Sequence, residues 1–456
     1  MTRLRGVVKA FSTWRLTGKM KGAMRMVVER FDRAPSTARR FPAFTNPHFR
    51  LYWIGTSLAN AADNVEHVIG YWVIWQLTHS PFWLGYAVVA HWLPFTLFSL
   101  HAGSMADRFN SRYLIQISQG FYILASLGWG VLYLTGQLQI WHVAILLLFH
   151  GFAGLISGPS SQMLIYEMVG QELLISAISL NSSLRYIAIV LGPAIGGFLM
   201  ASVGPGSGFL VNILLYLPLS LIMLILPYRG ASARGRKEED WQAILEGLRA
   251  IRQRPIILGL LCVVAITSLL VGNAFQALMP AFAERLQASS TGYSILLSAN
   301  GVGAVLGVLG LGILGSTRLR PVVVTTGALL WSSLMILFSL SPWFILSLAS
   351  LCLIGMSSII FTSMAQSIIQ AWAPDHLRGR VVGVYNLAAH GMRAASGLVI
   401  GLLASLLGTP QALLLCGAVI AIVILGIAAT VRSLWDSDMK EEPPTGGEAR
   451  VVPAGS

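Results

Sequence analysis

From Leu51 to Thr430 the chain alternates long apolar runs with short hydrophilic breaks. About 20 apolar residues span a bilayer. The runs fall near 51–77, 82–103, 113–135, 140–164, 176–203, 208–228, 256–281, 291–314, 321–341, 343–370, 380–407 and 410–432. A membrane β-barrel would instead show alternating segments of about ten residues, so the runs are read as helices. Composition agrees: 55% of the 456 residues are hydrophobic and 11% charged, against about 25% charged in soluble domains. The expected fold class is an all-α integral membrane protein with twelve transmembrane helices.

The net charge is +13. On a folded soluble surface that would point to nucleic acid, but the charges here mark orientation, so no nucleic-acid partner is expected. The breaks after spans 1, 3, 5, 9 and 11 hold no Lys or Arg, and the break after span 7 holds only Arg285. Basic residues collect on the cytoplasmic face, so both termini are predicted inside. Residues 1–45 carry most of the excess charge and lack a signal-peptide pattern. Val7, Val8, Phe11 and Trp14 keep a loose helical spacing. A basic helix on anionic membrane lipids and a disordered basic tail both fit that segment. Cys262, Cys352 and Cys416 are scattered in apolar runs and suggest neither disulfide nor zinc framework.

The break at 229–255 separates two six-span halves, 46–228 and 256–433, and a tail, 434–456, follows that is expected to be disordered. Within the break, Trp241, Ile244, Leu245, Leu248 and Ile251 form an amphipathic helical stripe. A shift of 204 lays Gln171-Glu172-Leu173 on Asp375-His376-Leu377 and the start of span 1 on that of span 7, an expected internal duplication. Paired six-helix halves are a transporter layout, with the substrate held between them.

The loop between spans 2 and 3 reads Gly103-Ser-Met-Ala-Asp107-Arg108-Phe-Asn-Ser-Arg112. It resembles the major facilitator superfamily, whose loop here runs Gly-x-Leu-Ala-Asp-Arg-x-Gly-Arg-Arg. The resemblance implies a cytoplasmic latch between spans 2 and 11 in the outward-facing state. Gly103 would permit close helix approach, and Asn110 would tolerate the left-handed backbone of the usual glycine. Ser111 replaces a base, and the second half keeps only Gly315, Arg318 and Arg320. In span 5, Gly192, Pro193, Gly196 and Gly197 resemble the Gly-Pro-x-x-Gly-Gly motif of proton-driven exporters, with a kink and close packing expected. Asn46-Pro-His-Phe-Arg50, Leu180-Asn181-Ser182 and Leu377-Arg378-Gly379-Arg380-Val381 resemble the transmembrane secretion effector branch, which includes enterobactin and macrolide exporters.

An ionisable group inside a span costs about 2.5–3.5 kcal/mol on insertion scales and is a functional candidate by default. Asp63 and Glu66 are the acids well inside a span; with His67 they are the proton-coupling candidates. The alternative is structural pairing with Arg185 or Arg393. Asn60 and Asn64 share the Asp63 face of span 1. Asn181 and Arg185 in span 5, Asn273 and Gln276 in span 7, Gln366 in span 10, and Asn386, His390 and Arg393 in span 11 complete the expected substrate cavity. His67, His91, His101, His150 and His390 fall in or near spans at no metal-ligand spacing. No metal or cofactor is therefore expected, and no Walker loop or hydrolase motif appears.

The expectation is a non-enzymatic, proton-coupled exporter of a small amphipathic molecule, a siderophore or a drug. It would work as a monomer in a bacterial cytoplasmic membrane. A lysophospholipid transporter of the same fold and a non-transporting membrane sensor or scaffold are the alternatives.

Overall fold

A computed structural model describes residues 41–229, 251–252, 254–272, 274–313, 320–373 and 378–435. In the first half α1 is Pro47–Thr78, α2 Pro81–Arg108 and α3 Ser111–Leu134. The assigned helix Ile140–Ile225 has non-helical backbone at Gly170 (φ 71°) and Gly204 (φ 79°), so it is three helices. These are α4 (140–169), α5 (171–203) and α6 (205–225). Only glycine takes such angles without steric cost. In the second half α7 is Pro255–Leu270, continued by Ala274–Ala277 and Met279–Arg285. Then come α8 (Ser290–Ile313), α9 (Pro321–Leu340) and α10 (Phe344–Trp372). The eleventh element, α11, joins Arg378–Asn386 to Met392–Leu407, and α12 is Thr409–Thr430.

Local chemistry sets several of these starts. Pro opens α1, α2, α7 and α9, where its missing N–H is one the helix could not use. Asn46 caps α1 by accepting from the N–H groups of His48 (2.9 Å) and Phe49 (3.2 Å).

Ten described stretches are long and apolar enough to cross a membrane. They include every helix except α1, with 187–225 spanning both α5 and α6. Although α1 is 32 residues long, it falls outside that set because its centre carries Asp63, Glu66 and His67. A polar helix at membrane depth must turn those groups inward.

Within the halves α1 and α3 pack on α4–α6, and α10 packs on α8 and α9. Between the halves α2 meets α11 and α5 meets α8. Large apolar side chains such as Phe198, Ile345, Leu406 and Ile422 stay exposed, as suits a lipid-facing surface.

Pro193 lies inside α5, whose two ends are set by the non-helical residues Gly170 and Gly204. The helix α11 is interrupted by a π-helical turn, Leu387–Gly391, a feature frequent at functional sites. Residues 1–40, most of the linker stripe, Gly315, Arg318, Asp375, His376 and Leu377, and the tail beyond 435 lie outside the described residues.

Candidate functional site

At the middle of α1, Asp63, Glu66 and His67 face α2, α3, α4 and α6. From α4, His150 inserts its buried ring between the two carboxylates. Its Nδ1 is 2.9 Å from Glu66 Oε1 and its Nε2 2.8 Å from Asp63 Oδ1. A neutral imidazole has one donor and one acceptor nitrogen. Both contacts therefore need one further proton, on the ring or on a carboxyl. The second Glu66 oxygen accepts from the Ser126 hydroxyl of α3 and from Tyr216 of α6.

The other two rings are ordered by a backbone group. His67 Nδ1 lies 2.7 Å from the Asp63 carbonyl, which only accepts, so that nitrogen carries the hydrogen. His67 Nε2 is then the acceptor toward His91 Nδ1 of α2, at 3.2 Å. The ring centroids of His67 lie 4.7 Å from His91 and 4.8 Å from His150. Tyr122 closes the group, 4.8 Å from His150 and stacked on Tyr216. Glu66, His67, Gly70, Tyr71, Ile74, Trp129, Leu147 and His150 line a small recess here.

Along the chain the histidines show no metal-ligand spacing, and His67 stands out only as a coupling candidate. In the fold one nitrogen from each of His67, His91 and His150 lies within 4.8 Å of the others. Linear spacing could not reveal it, since His150 is 84 residues from Glu66. Ser126 and Tyr216 went unnoticed as well. A signal existed for one of them: Ser118, Tyr122 and Ser126 repeat at every fourth position of α3, one helical face. Asp63 and Glu66 are paired through His150, a partner the sequence reading did not consider beside Arg185 and Arg393.

The remaining expected cavity residues are placed unevenly. The amides of Asn60 and Asn64 donate within α1, to the carbonyls of Thr56 (2.8 Å) and Asn60 (2.9 Å). Asn181 keeps a buried Oδ1 without a hydrogen-bond partner. Gln276 Nε2 reaches Asn300 Oδ1 at 3.4 Å. Gln366 and Asn386 are exposed. The Arg393 guanidinium sits 5.0 Å above the Trp92 ring of α2, linking the halves beside His91. Asn273 and the side chains of Arg185, His390 and Asp107 lie outside the described residues.

The span-5 glycines make close contacts on two sides. A Cβ at Gly192 would collide with Asn64 of α1, one at Gly196 would press on Val68 (3.1 Å), and one at Gly197 would meet Ser294 of α8. The seam between halves continues toward the end of the bundle that carries His79. There Tyr293 donates to the Val68 carbonyl (3.0 Å) and stacks on Trp72. Glu284 accepts from Trp75 and lies 3.4 Å from His79. A Cβ on Gly85 of α2 would strike the Gly397 carbonyl and the Gly401 backbone of α11. At the opposite end, which carries Arg108, the side chains of Thr96, Leu97 and Phe98 on α2 and of Asn386 and Leu387 on α11 are exposed.

In the loop motif, Arg112 donates through Nε to Met223 O (2.9 Å) and through Nη2 to Leu224 O (3.1 Å). It thereby ties α3 to the C-terminal end of α6. One detail of that motif differs from expectation. Asn110 has φ −65° and serves as the α3 cap by accepting from the Arg112 N–H, rather than adopting a left-handed backbone. A Cβ on Gly103 would meet no described residue within 4 Å.

The family model described as Transmembrane secretion effector matches residues 38–446. The chain is 25% identical over 343 residues to the enterobactin exporter EntS of Shigella boydii, covering 75% of this chain and 82% of that protein. EntS of Escherichia coli O139:H28 is 24% identical over the same shares. Among solved structures it resembles the nucleoside transporter NupG (TM-score 0.66, 13% identity, 84% of this chain and 99% of that one). It also resembles a bacterial homologue of the human lysosomal transporter Spinster, inward-facing and unoccupied (TM-score 0.66, 14% identity, 86% and 98%). The fold they share is that of major facilitator transporters, so the molecule is a multi-pass membrane transporter and not an enzyme. The chain belongs to the transmembrane secretion effector family of the major facilitator superfamily.

Proposed function

We propose that this transporter is an exporter, carrying a small amphipathic molecule out of a bacterial cell by rocking its halves. What carries the export direction is the likeness to enterobactin exporters; the asymmetry of the seam fits the state in which such a protein would load. Glycine backbones of α2 and α11 meet at the His79 end, while the same two helices expose side chains toward the Arg108 end. The charge asymmetry of the sequence supports a cytoplasmic position for the Arg108 end and for both termini. The conformation is then closed outside and open inside, ready to load cargo from the cytoplasm.

The proton as coupling ion is supported by the resemblance of Gly192, Pro193, Gly196 and Gly197 to the motif of proton-driven exporters. Asp63 and Glu66, with His67, remain the acids and ring at membrane depth on which that coupling would act. The likeness to the enterobactin exporter EntS favours a siderophore as cargo, with a drug as the other candidate. The basic N-terminal segment would rest on anionic lipids, and the monomer would be the working unit.

Inside-out vesicles test the reading. An imposed proton gradient should drive uptake of a catecholate siderophore or a macrolide, and a protonophore should abolish it. Asp63→Asn and Glu66→Gln should each uncouple transport; wild-type coupling in both sinks the assignment. Deletion of residues 1–40 should leave transport intact, whereas a scaffold whose working part is that segment would lose its phenotype.

A further inference from the structure

The geometry points to a divalent transition-metal site of the zinc class inside the first half, with His67, His91 and His150 as ligands and Asp63 as the fourth. The site does not depend on the identity of the cargo, but it shares Asp63, Glu66 and His67 with the proposed proton coupling, so an ion bound there would stand where the coupling proton would. Its ligands come from α1, α2 and α4.

The ring orientations already match what a metal needs. His67 spends Nδ1 on the Asp63 carbonyl and turns Nε2, with its lone pair, toward His91 Nδ1. His150 donates Nδ1 to Glu66 and turns Nε2 toward Asp63 Oδ1. A carboxylate or carbonyl behind a ligating imidazole is the usual outer shell of such sites; it fixes ring orientation and raises ligand basicity. Here Glu66 and a backbone carbonyl fill that place, and Ser126 and Tyr216 in turn hold Glu66.

Two distances and the charge agree, while the three imidazole nitrogens, within 4.8 Å of one another, would draw closer around an ion. Bonds of 2.0–2.1 Å in a tetrahedron separate ligand atoms by roughly 3.3 Å. The facing pairs lie at 3.2 Å (His67 Nε2 and His91 Nδ1) and 2.8 Å (His150 Nε2 and Asp63 Oδ1). A metal between them displaces the hydrogen on His91 Nδ1 to the far nitrogen and takes the place of the proton shared by His150 and Asp63. Three neutral imidazoles, two carboxylates and a divalent cation sum to zero charge, the arrangement that costs least at membrane depth. Nitrogen ligands with one carboxylate suit zinc, cobalt and nickel rather than calcium or magnesium. His150 and Glu66 are each 4% exposed, whereas His67 is 20% and Asp63 27% exposed. An ion therefore enters from the α1–α2 side and the rear of the site stays dry.

Tag-free full-length protein in detergent, stripped with chelator and titrated with Co2+, tests the assignment. The expected result is saturable binding of one Co2+ per chain, with the visible d–d bands of a four-coordinate site, displaced by Zn2+. Glu66→Gln keeps an acceptor for His150 but loses the charge, and should weaken binding roughly tenfold to hundredfold. His91→Gln and His150→Gln should abolish the bands while gel filtration and tryptophan fluorescence stay native. If His150→Gln fails to fold, His91→Gln decides. No saturable band in the wild type overturns the site. Bands of unchanged affinity in folded His91→Gln overturn it too, since the ion would then sit on other histidines. This equilibrium measurement uses neither gradient nor cargo, so its failure leaves export standing and failed export leaves it standing.

Discussion

The crossing of α2 and α11 at Gly85 offers the sharpest probe of the seam. Replacing Gly85 with Ala adds a Cβ that would strike the Gly397 carbonyl and lie 2.7 Å from the Gly401 Cα. These neighbours are backbone, so no rotamer change relieves the clash. Overpacking of this kind costs about 1–3 kcal/mol. The contact exists only while the His79 end is closed, so the cost falls on that conformation alone. An equilibrium between two conformations should then move by roughly 5- to 150-fold. Spin labels at Gln137→Cys and Gln411→Cys, in a chain with Cys262, Cys352 and Cys416 replaced, report the separation of the halves at that end. The Gly85→Ala distance distribution should shift toward longer separations. Gly120→Ala, where a Cβ meets nothing within 4 Å, should not shift it. A wild-type distribution together with wild-type thermal stability for Gly85→Ala would refute the claim that this crossing closes the molecule.

Tyr293→Phe removes the donor to the Val68 carbonyl but keeps the stacking on Trp72. The loss of about 1 kcal/mol should open the same end roughly fivefold, read with the same labels. Arg112→Ala removes two hydrogen bonds to the end of α6. It should lower unfolding stability in detergent by about 1–3 kcal/mol, measured by thermal melting, with the His79-end distances unchanged. Glu284→Gln alters contacts that are largely exposed, so it should shift those distances far less than Gly85→Ala.

Much of the architecture is legible in sequence because the bilayer imposes a one-dimensional code. A span must be long and apolar, so helices can be read without tertiary contacts, and the bias of basic residues to one face gives an expected orientation. The exceptions are instructive. Asp63, Glu66 and His67 make α1 the least apolar helix, and they mark the site from sequence alone because buried charge is costly. His150 carries no such mark. A single histidine in an apolar helix is ordinary until its neighbours are known, and its two carboxylate partners lie 84 and 87 residues away. The role of Asn110 was misread for a local reason: its side chain satisfies a free N–H of α3, which relieves the backbone of any need for a left-handed turn.

The helical class, the two halves, the family resemblance through the 103–112 loop and the acids that had to face inward all follow from the order of the amino acids. Which groups those acids meet, and at which end the halves close, follows from packing alone. Hydropathy is a sum over neighbours in the chain, so spans can be read from it. Ligand sets and seams depend instead on which helix faces adjoin, and it takes the packing of α1, α2, α3, α4 and α6 to bring three histidines and two carboxylates to one point.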